Sequence, residues 1–223
     1  MSRRPFHEES IVNDSTTISE ALQLLADVET ATIGHFSSEG FMAPQVQCLI
    51  DDVRIVGRAH TVSLPDDDGG ALSRAVSEAR PGDVLVIERL DDDRHACWGA
   101  VMTAAARAAG IVGVVVDGYV TDVGAIRAMG LPVWCRGRSP LTTKIRGGGT
   151  VGCEIHCAGV RVRPGDIVLA DENGVYVASP HEALAAAREA LVIQASEPGI
   201  VARIDAGETL AAIYGSPTAA SNR

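Results

Sequence analysis

The chain of 223 residues has few aromatic side chains, no long apolar run and no excess of positive charge. Aromatic residues make up 4% of the sequence and hydrophobic residues 46%, so the core must be built from Val, Ile, Leu and Ala. No apolar run reaches the ~18 residues of a membrane-spanning helix. The basic residues at the amino terminus are not followed by the apolar segment of a signal peptide. We therefore expect a cytoplasmic protein without a membrane partner.

The net charge and the cysteine pattern argue against two further classes of protein, non-specific nucleic-acid binders and disulfide-stabilised proteins. A formal net charge of -10 argues against non-specific nucleic-acid binding, which needs a positive surface to displace counterions. The same negative charge is compatible with binding to a basic protein partner. The cysteines are odd in number and lack paired spacing, which predicts reduced thiols rather than a disulfide framework. They are Cys48, Cys97, Cys135, Cys153 and Cys157.

The order of apolar runs predicts the fold class. Strand-like and helix-period stretches alternate over residues 57–135, which indicates an α/β unit with a mostly parallel sheet. Short strands follow over 147–178, and Pro180 begins an Ala-rich helix that we expect to break near Pro198. No linker divides the chain. The predicted organisation is a flexible arm over 1–15, one α/β domain over 16–215 and a frayed tail over 216–223.

The most informative stretch lies in the middle of the chain. An apolar strand over 111–116 ends at Asp117, and Asp122 opens the next helix-period segment. Carboxylates at the carboxyl end of a buried strand lie where α/β proteins tend to bind ligands and metals. Two simpler interpretations stay open. Asp122 suits a helix N-cap, and Asp117 suits a turn before a glycine.

Other patterns carry weaker signals. Residues 147–152 fit G-x-G-x-x-G, but the alternating residues that follow favour a loop over a dinucleotide site. The run Asp91–Asp93 follows a buried strand, so it is either a solvated surface or a ligand contact. His95 and Cys97 stand two residues apart and do not face each other, which disfavours a Cys/His dyad.

Several motifs in succession resemble a known family. The chain is similar, from about residue 17 to 215, to the RraA-like family, which comprises the regulators of ribonuclease E activity A and the class II 4-hydroxy-4-methyl-2-oxoglutarate (HMG/CHA) aldolases. The stretches that carry the resemblance are Ala71–Ala75, Pro81–Val86, Trp98-Gly99, Ala104–Ala106, Gly110–Gly118, Asp122, Ile126-Arg127, Gly130–Val133, Arg136-Gly137, Ser139-Pro140, Thr142–Lys144, Val162–Asp166 and Ala170–Val175.

The resemblance implies a compact swivelling, phosphohistidine-domain-like α/β/α fold with mixed sheets in a single domain. It also implies a homotrimer or hexamer with sites between subunits, and Mg²⁺ or Mn²⁺ at each site. The aldolase members bind pyruvate or oxaloacetate and catalyse retro-aldol cleavage and decarboxylation. Both reactions develop charge on an enolate oxygen, which a Lewis acid or a fixed cation stabilises.

The family signature is an acidic residue, twenty residues, then Arg-Asp. In this chain Asp122 matches the final position and is implied to be the metal ligand. Thr121 stands where the family has arginine, and Ala100 stands where it has the acidic residue. A threonine hydroxyl carries no charge and cannot replace the cation. The resemblance therefore implies a site without its usual cation and second acid.

Two further groups complete the predicted site around Asp122: a helix start that would bind the substrate and a second acidic residue that would bind the metal. A helix that opens at Gly99, Ala100, Val101 and Met102 offers backbone N–H groups to a substrate carboxylate. The candidate second acidic residue at the metal is Glu197, contributed by a neighbouring subunit.

Two functions remain open. In the first, the protein is a divalent-metal-dependent lyase of the pyruvate aldolase or oxaloacetate decarboxylase type, or a diverged relative acting on a different oxo-acid-like substrate. A reshaped site would then use His95, Asp93, Tyr119 or Arg136 beside Asp122, although Tyr119 equally suits a subunit contact. In the second, the protein is a non-catalytic trimeric regulator that binds a ribonuclease E-like or other protein partner.

Overall fold

The chain builds one nine-stranded mixed sheet, a separate two-stranded hairpin and a set of helices packed against the sheet. The computed structural model describes the backbone of residues 8–215 and the side chains of residues 15–215. The helices are α1 (Glu8–Leu25), α2 (Thr30–Ile33), α3 (Leu72–Glu78), α4 (Ala100–Ala108), α5 (Val123–Met129), α6 (Pro180–Asp205) and α7 (Leu210–Tyr214). The strands are β1 (Gln47–Cys48), β2 (Ile55–Pro65), β3 (Asp83–Leu90), β4 (Ala96–Trp98), β5 (Gly113–Val120), β6 (Val133–Arg138), β7 (Thr150–Val151), β8 (Ile155–Cys157), β9 (Val160–Val162), β10 (Ile167–Asp171) and β11 (Gly174–Ala178).

The sheet has a parallel centre and antiparallel edges. Its order is β1-β6-β5-β3-β2-β10-β11, with β4 paired to β5 and β7 paired to β2. Strands β2, β3, β5 and β6 run parallel, whereas β1, β7, β10 and β11 pair antiparallel with their neighbours. The central strands are continuous apolar runs because helices or the hairpin cover both of their faces. The sheet thus confirms the predicted mixed α/β fold class.

Three apolar clusters hold the layers together. Helices α3, α4 and α5 pack on one face of the central strands, and the hairpin β8–β9 covers the other face. Helices α1, α2 and α6 pack over β10 and β11 at the far end of the sheet. Trp98 and Trp134 are the bulkiest fully buried side chains, and the rest of the core is mostly aliphatic, as the composition predicts. No helix within the described residues combines the length and apolarity needed to cross a membrane.

Two of the helices differ from the predicted ones. Helix α1 begins at Glu8 rather than near Thr16, so residues 8–15 of the predicted arm are helical. Residues 1–7 of that arm and the predicted tail over 216–223 lie outside the described residues. Helix α6 continues through Pro198 to Asp205, because its second half is mostly exposed and a carbonyl that loses its helical partner there can be hydrated.

The segment over 43–56 is also less regular than expected. Only Gln47–Cys48 pairs there before β2 begins at Ile55. Asp52 in this segment has a positive φ of 56°, a turn conformation that interrupts a strand.

Candidate functional site

Asp122 occupies the loop between the end of β5 and the start of α5. It adopts a left-handed conformation with φ 54° and ψ 35°, and its side chain makes no capping bond to its own helix. Instead, Oδ2 accepts the N–H of Ala100 at 3.0 Å. The interpretation that the Asp122 side chain caps its own helix, α5, was therefore wrong. The carboxylate instead caps α4, on the other side of the cleft. Oδ1 makes no hydrogen bond to the described part of the chain, and the residue is exposed.

A cavity of about 290 Å³ opens beside this carboxylate. The structure brings Thr121, Asp122 and the whole Gly99–Met102 segment to its wall. The opposite wall comes from Thr142, Thr143 and Ile145. Val101 is 81% exposed and Ile145 is 89% exposed, so the mouth of the cavity is apolar while its base carries the carboxylate.

Hydrogen bonds from the core fix the start of α4. The indole N–H of Trp98 donates to Thr103 Oγ1 at 2.9 Å, and the Thr103 hydroxyl donates to the carbonyl of Gly99 at 2.9 Å. The N–H of Thr121 donates to the carbonyl of Trp98 at 2.8 Å, which ties the strand end to the same unit. The start of the helix is thus held in place, with the N–H of Ala100 bonded to Asp122.

Gly99 is required at this point for steric reasons. Its backbone is extended, with φ -158°, which any residue can adopt. A Cβ there, however, would lie 2.7 Å from Asp122 Oδ2 and 2.9 Å from Thr121 Cγ2. The missing side chain therefore allows the carboxylate to approach the helix start closely.

Asp117, Tyr119 and Arg136 lie at a second cavity, of about 620 Å³, formed with the loop Asp91–Asp93. Asp117 Oδ1 pairs with the guanidinium of Arg136, and Oδ2 accepts the N–H of Ala158 at 2.7 Å. This bond to Asp117 raises the pKa of Arg136. Side chains alternate across a strand, so Asp117 points to the hairpin face while Asp122 follows the strand end. The proposed set of site residues is thus divided between two cavities.

Sequence reasoning overlooked Arg89, at the end of β3. Its side chain is only 1% exposed and its guanidinium pairs with Asp92. Nη2 also donates to the carbonyl of Asp66 at 2.6 Å. The Nε and Nη1 atoms are buried with no partner. The signal in the sequence was an arginine two residues after the apolar run Val84–Ile87 of a central strand, where charged side chains are rarely buried unless they are paired.

His95 and Glu197 line neither of these cavities. His95 Nδ1 lies 3.1 Å from Asp92 Oδ1, so the ring belongs to the Arg89–Asp92 cluster. Glu197 is exposed on the second half of α6, a helix that packs against α1, α2 and β11. Within one chain Glu197 therefore does not reach the wall around Asp122. Cys97 is buried beside the Arg89 cluster, and burial raises the pKa of its thiol to about 12.

The donor set at Asp122 fits one kind of metal ion. Within residues 15–215 no group of three His, Cys, Asp or Glu side chains could hold a metal. Asp122 Oδ1 is a single hard oxygen ligand, and the hydroxyls of Thr121 and Thr142 line the same cavity. Mg²⁺ keeps several waters and is commonly bound through one or two carboxylates together with the substrate. The residues therefore fit a hydrated Mg²⁺ or Mn²⁺ and do not fit a closed zinc site.

Fold and site together define an α/β protein with a carboxylate and a helix start at the carboxyl edge of a parallel sheet. Comparison with known proteins identifies the family of this chain. The sequence model of the RraA-like family, described as Aldolase/RraA, matches residues 15–177. The chain belongs to this family.

Its relatives include proteins named as aldolases and proteins named as RraA. A protein of Halalkalibacterium halodurans named "Putative 4-hydroxy-4-methyl-2-oxoglutarate aldolase" is 36% identical over 163 residues, which are 73% of this chain and 71% of that protein. The RNA-processing inhibitor RraA from Thermus thermophilis has a similar structure, with a TM-score of 0.61 and 26% identity over 68% of this chain and 92% of that one. Streptomyces coelicolor RraAS2, an unusual member of the RNase ES inhibitor RraA family, shares the fold with a TM-score of 0.70 and 23% identity, over 91% and 99% of the two chains.

Proposed function

We propose that this protein is a divalent-metal-dependent carbon–carbon lyase of the pyruvate aldolase or oxaloacetate decarboxylase type, or a diverged relative that acts on another oxo-acid-like substrate. The observation that carries the proposal is the carboxylate of Asp122, which directs one free oxygen into a cavity at the start of α4. The aldolase name of a relative at 36% identity supports the same class of reaction. We expect the protein to act in the cytoplasm.

Each part of the cavity has a task in this proposal. Asp122 Oδ1 holds Mg²⁺ or Mn²⁺, and the ion, when bound, supplies Lewis-acid stabilisation of charge on the substrate's 2-oxo group. The N–H groups of Val101 and Met102 belong to the first turn of α4, where no intrahelical carbonyl is available to them. They can therefore donate to the substrate carboxylate, and the helix dipole favours the same negative charge.

The substitutions at positions 100 and 121 weaken this site for standard aldolase substrates. Ala100 contributes its N–H to Asp122 but no carboxylate to the ion's waters. Thr121 contributes a hydroxyl and no cation. Loss of one electrostatic group of this kind typically costs a factor of roughly 10²–10³ in rate. We therefore expect slow turnover of oxaloacetate by the natural protein and a different preferred oxo-acid-like substrate.

The proposal is tested by restoring the family's side chains. The double variant Ala100→Asp/Thr121→Arg should release pyruvate from oxaloacetate faster than the natural protein, by about 10²-fold, with Mg²⁺ or Mn²⁺ present. Adding Asp122→Ala should remove the gain. A folded double variant that binds metal and shows no increase would contradict the assignment of lyase chemistry to this cavity.

A complete site would require neighbouring subunits, and we propose a homotrimer or hexamer. Three exposed apolar side chains on the second half of α6 support an intermolecular contact there: Val192 (72% exposed), Val201 (54%) and Ile204 (42%). In such an assembly Glu197 would come from the neighbouring subunit. Light scattering gives the subunit number, and Glu197→Gln should weaken metal binding if this residue joins the site. Unchanged binding would remove Glu197 from it.

The named regulators among the structural relatives favour one alternative function. A non-catalytic trimer could bind a ribonuclease E-like or other protein partner, in line with the RraA name of the Thermus thermophilis protein. The discriminating assay is ribonuclease E cleavage of a fluorescent RNA with increasing amounts of this protein. Saturable inhibition that persists in Asp122→Ala, together with no turnover of any 2-oxo acid tested, would favour the regulator over the lyase.

A further inference from the structure

The cavity of about 620 Å³ at the ends of β3 and β5 has a charged group without enough partners. Arg89 carries a positive charge on its guanidinium. Its Nη2 group bonds to Asp92 and to the carbonyl of Asp66. Its Nε and Nη1 atoms are buried without acceptors. Buried N–H groups of this kind are satisfied in native proteins by protein, water or a ligand, and residues 15–215 supply no acceptor for these two atoms.

Arg89 lines this cavity with a side chain that is only 1% exposed. It forms part of the cavity wall, next to Gly118 and Tyr119 of β5. Gly118 leaves the space that the arginine stem occupies, since a Cβ there would lie 2.8 Å from Arg89 Cγ. The bond to Asp92 and the burial of the stem fix the guanidinium in one position. Such a preorganised cation is suited to donate hydrogen bonds to an anionic oxygen.

The other charges of the cavity restrict the ligand. Arg136 is paired with Asp117, as Arg89 is with Asp92. The remaining charges are Asp91 and Asp93, both exposed. A second negative charge on a ligand would be repelled by these two carboxylates, whereas an ammonium group would be attracted to them.

We propose that this cavity binds a small molecule with a single carboxylate, to which Arg89 donates from one of its two unpartnered nitrogens, Nε or Nη1, and that a positively charged amine on the same molecule strengthens binding through Asp91 and Asp93. The site is separate from the cavity of Asp122 and does not depend on the lyase proposal. Its ligand class is a monocarboxylate or an amino-acid-like zwitterion.

The experiment observes Arg89 directly in the full-length protein with a chelator present, so that no metal contributes. The Nε–H resonance of Arg89 in ¹⁵N NMR spectra is followed during titration with propionate, β-alanine and malonate. We expect a saturable shift of this resonance, with malonate binding at least about fivefold more weakly than propionate. β-Alanine should bind more tightly than propionate because of its ammonium group, and equal or weaker binding would remove Asp91 and Asp93 from the proposal. The variant Asp122→Ala should give the same curves.

A rim variant provides a second test that does not disturb the buried ion pair. Asp91→Asn/Asp93→Asn alters exposed side chains and should increase the affinity for malonate about threefold more than the affinity for propionate. An Arg89 resonance that does not respond to any of the three probes would overturn the proposal and leave water as the acceptor. Equal or tighter binding of malonate by the natural protein would also overturn it, as would a rim variant with unchanged selectivity.

Discussion

The close approach of Gly99 to Asp122 gives the sharpest structural prediction. In Gly99→Ala the new Cβ would lie 2.7 Å from Asp122 Oδ2 and 2.9 Å from Thr121 Cγ2. Both distances are too short for these atoms, so the carboxylate has to move away from α4. Its 3.0 Å bond to the Ala100 N–H would then be lost.

The expected effect on metal binding follows from that displacement. A ligand carboxylate that loses its fixed position costs about 1.4 kcal/mol, which corresponds to about tenfold weaker Mn²⁺ binding. Overpacking of the strand end should also lower the free energy of unfolding by about 1–3 kcal/mol. Gly99→Ala changes no metal-ligating group and leaves the Thr121 hydroxyl in place. A loss of Mn²⁺ affinity in this variant would therefore report the displacement of the Asp122 carboxylate.

Gly124 offers a matched control two residues beyond Asp122. A Cβ at Gly124 meets nothing within 4 Å, and the residue lies inside α5. Gly124→Ala should therefore keep Mn²⁺ affinity and stabilise the helix by up to about 1 kcal/mol. Water-proton relaxation measures bound Mn²⁺, and urea denaturation measures stability. If Gly99→Ala bound Mn²⁺ as tightly as Gly124→Ala, the carboxylate would not be held where the structure has it, and the reasoning would be refuted.

Three further predictions concern the surroundings of the site. Thr103→Val leaves the buried indole N–H of Trp98 without an acceptor and should lower the free energy of unfolding by about 2 kcal/mol; urea denaturation should show a smaller loss for Thr103→Ser, and an equal loss would contradict the assignment. Asp68 accepts three backbone N–H groups, foremost that of residue 146, which lowers its pKa from 3.8. The stabilisation is therefore complete above the unfolded pKa and is lost as the pH falls through the lower folded pKa; carboxyl ¹³C NMR of Asp68 should give a midpoint below 3.8, and a midpoint at or above 3.8 would refute this. Burial raises the pKa of Cys97 to about 12 and that of Cys135 to about 11, so neither should react with a thiol reagent at pH 7 before unfolding; labelling of either in the native protein would contradict their burial.

The central elements follow from periodicity, and the exceptions have local causes. The apolar run over 111–116 corresponds to β5, and the segment from Asp122 corresponds to α5. Most of their boundaries agree with the prediction within two residues, because each pattern has one buried face and one consistent period. The predicted break at Pro198 was wrong, because a proline in an exposed part of a helix costs less than in a packed one.

The site was predictable only in part. The sequence predicted a site at Asp122 and the start of α4, and both line one cavity at the carboxyl edge of a parallel strand; their roles in a site stay a prediction. It did not separate Asp117 from Asp122, because the strand's alternation and its bulge between Val116 and Tyr119 decide which face each carboxylate meets. It did not identify Arg89, whose role depends on which acceptors are present in three dimensions.

A calorimetric titration of Mn²⁺ into the natural protein and into Asp122→Ala tests the account most directly. The account predicts one site per chain in the natural protein and no measurable binding in the variant, whose fold should be intact by circular dichroism because Asp122 is exposed. Equal binding of Mn²⁺ by both proteins would contradict the assignment of Asp122 as the metal ligand, and with it the metal-dependent lyase.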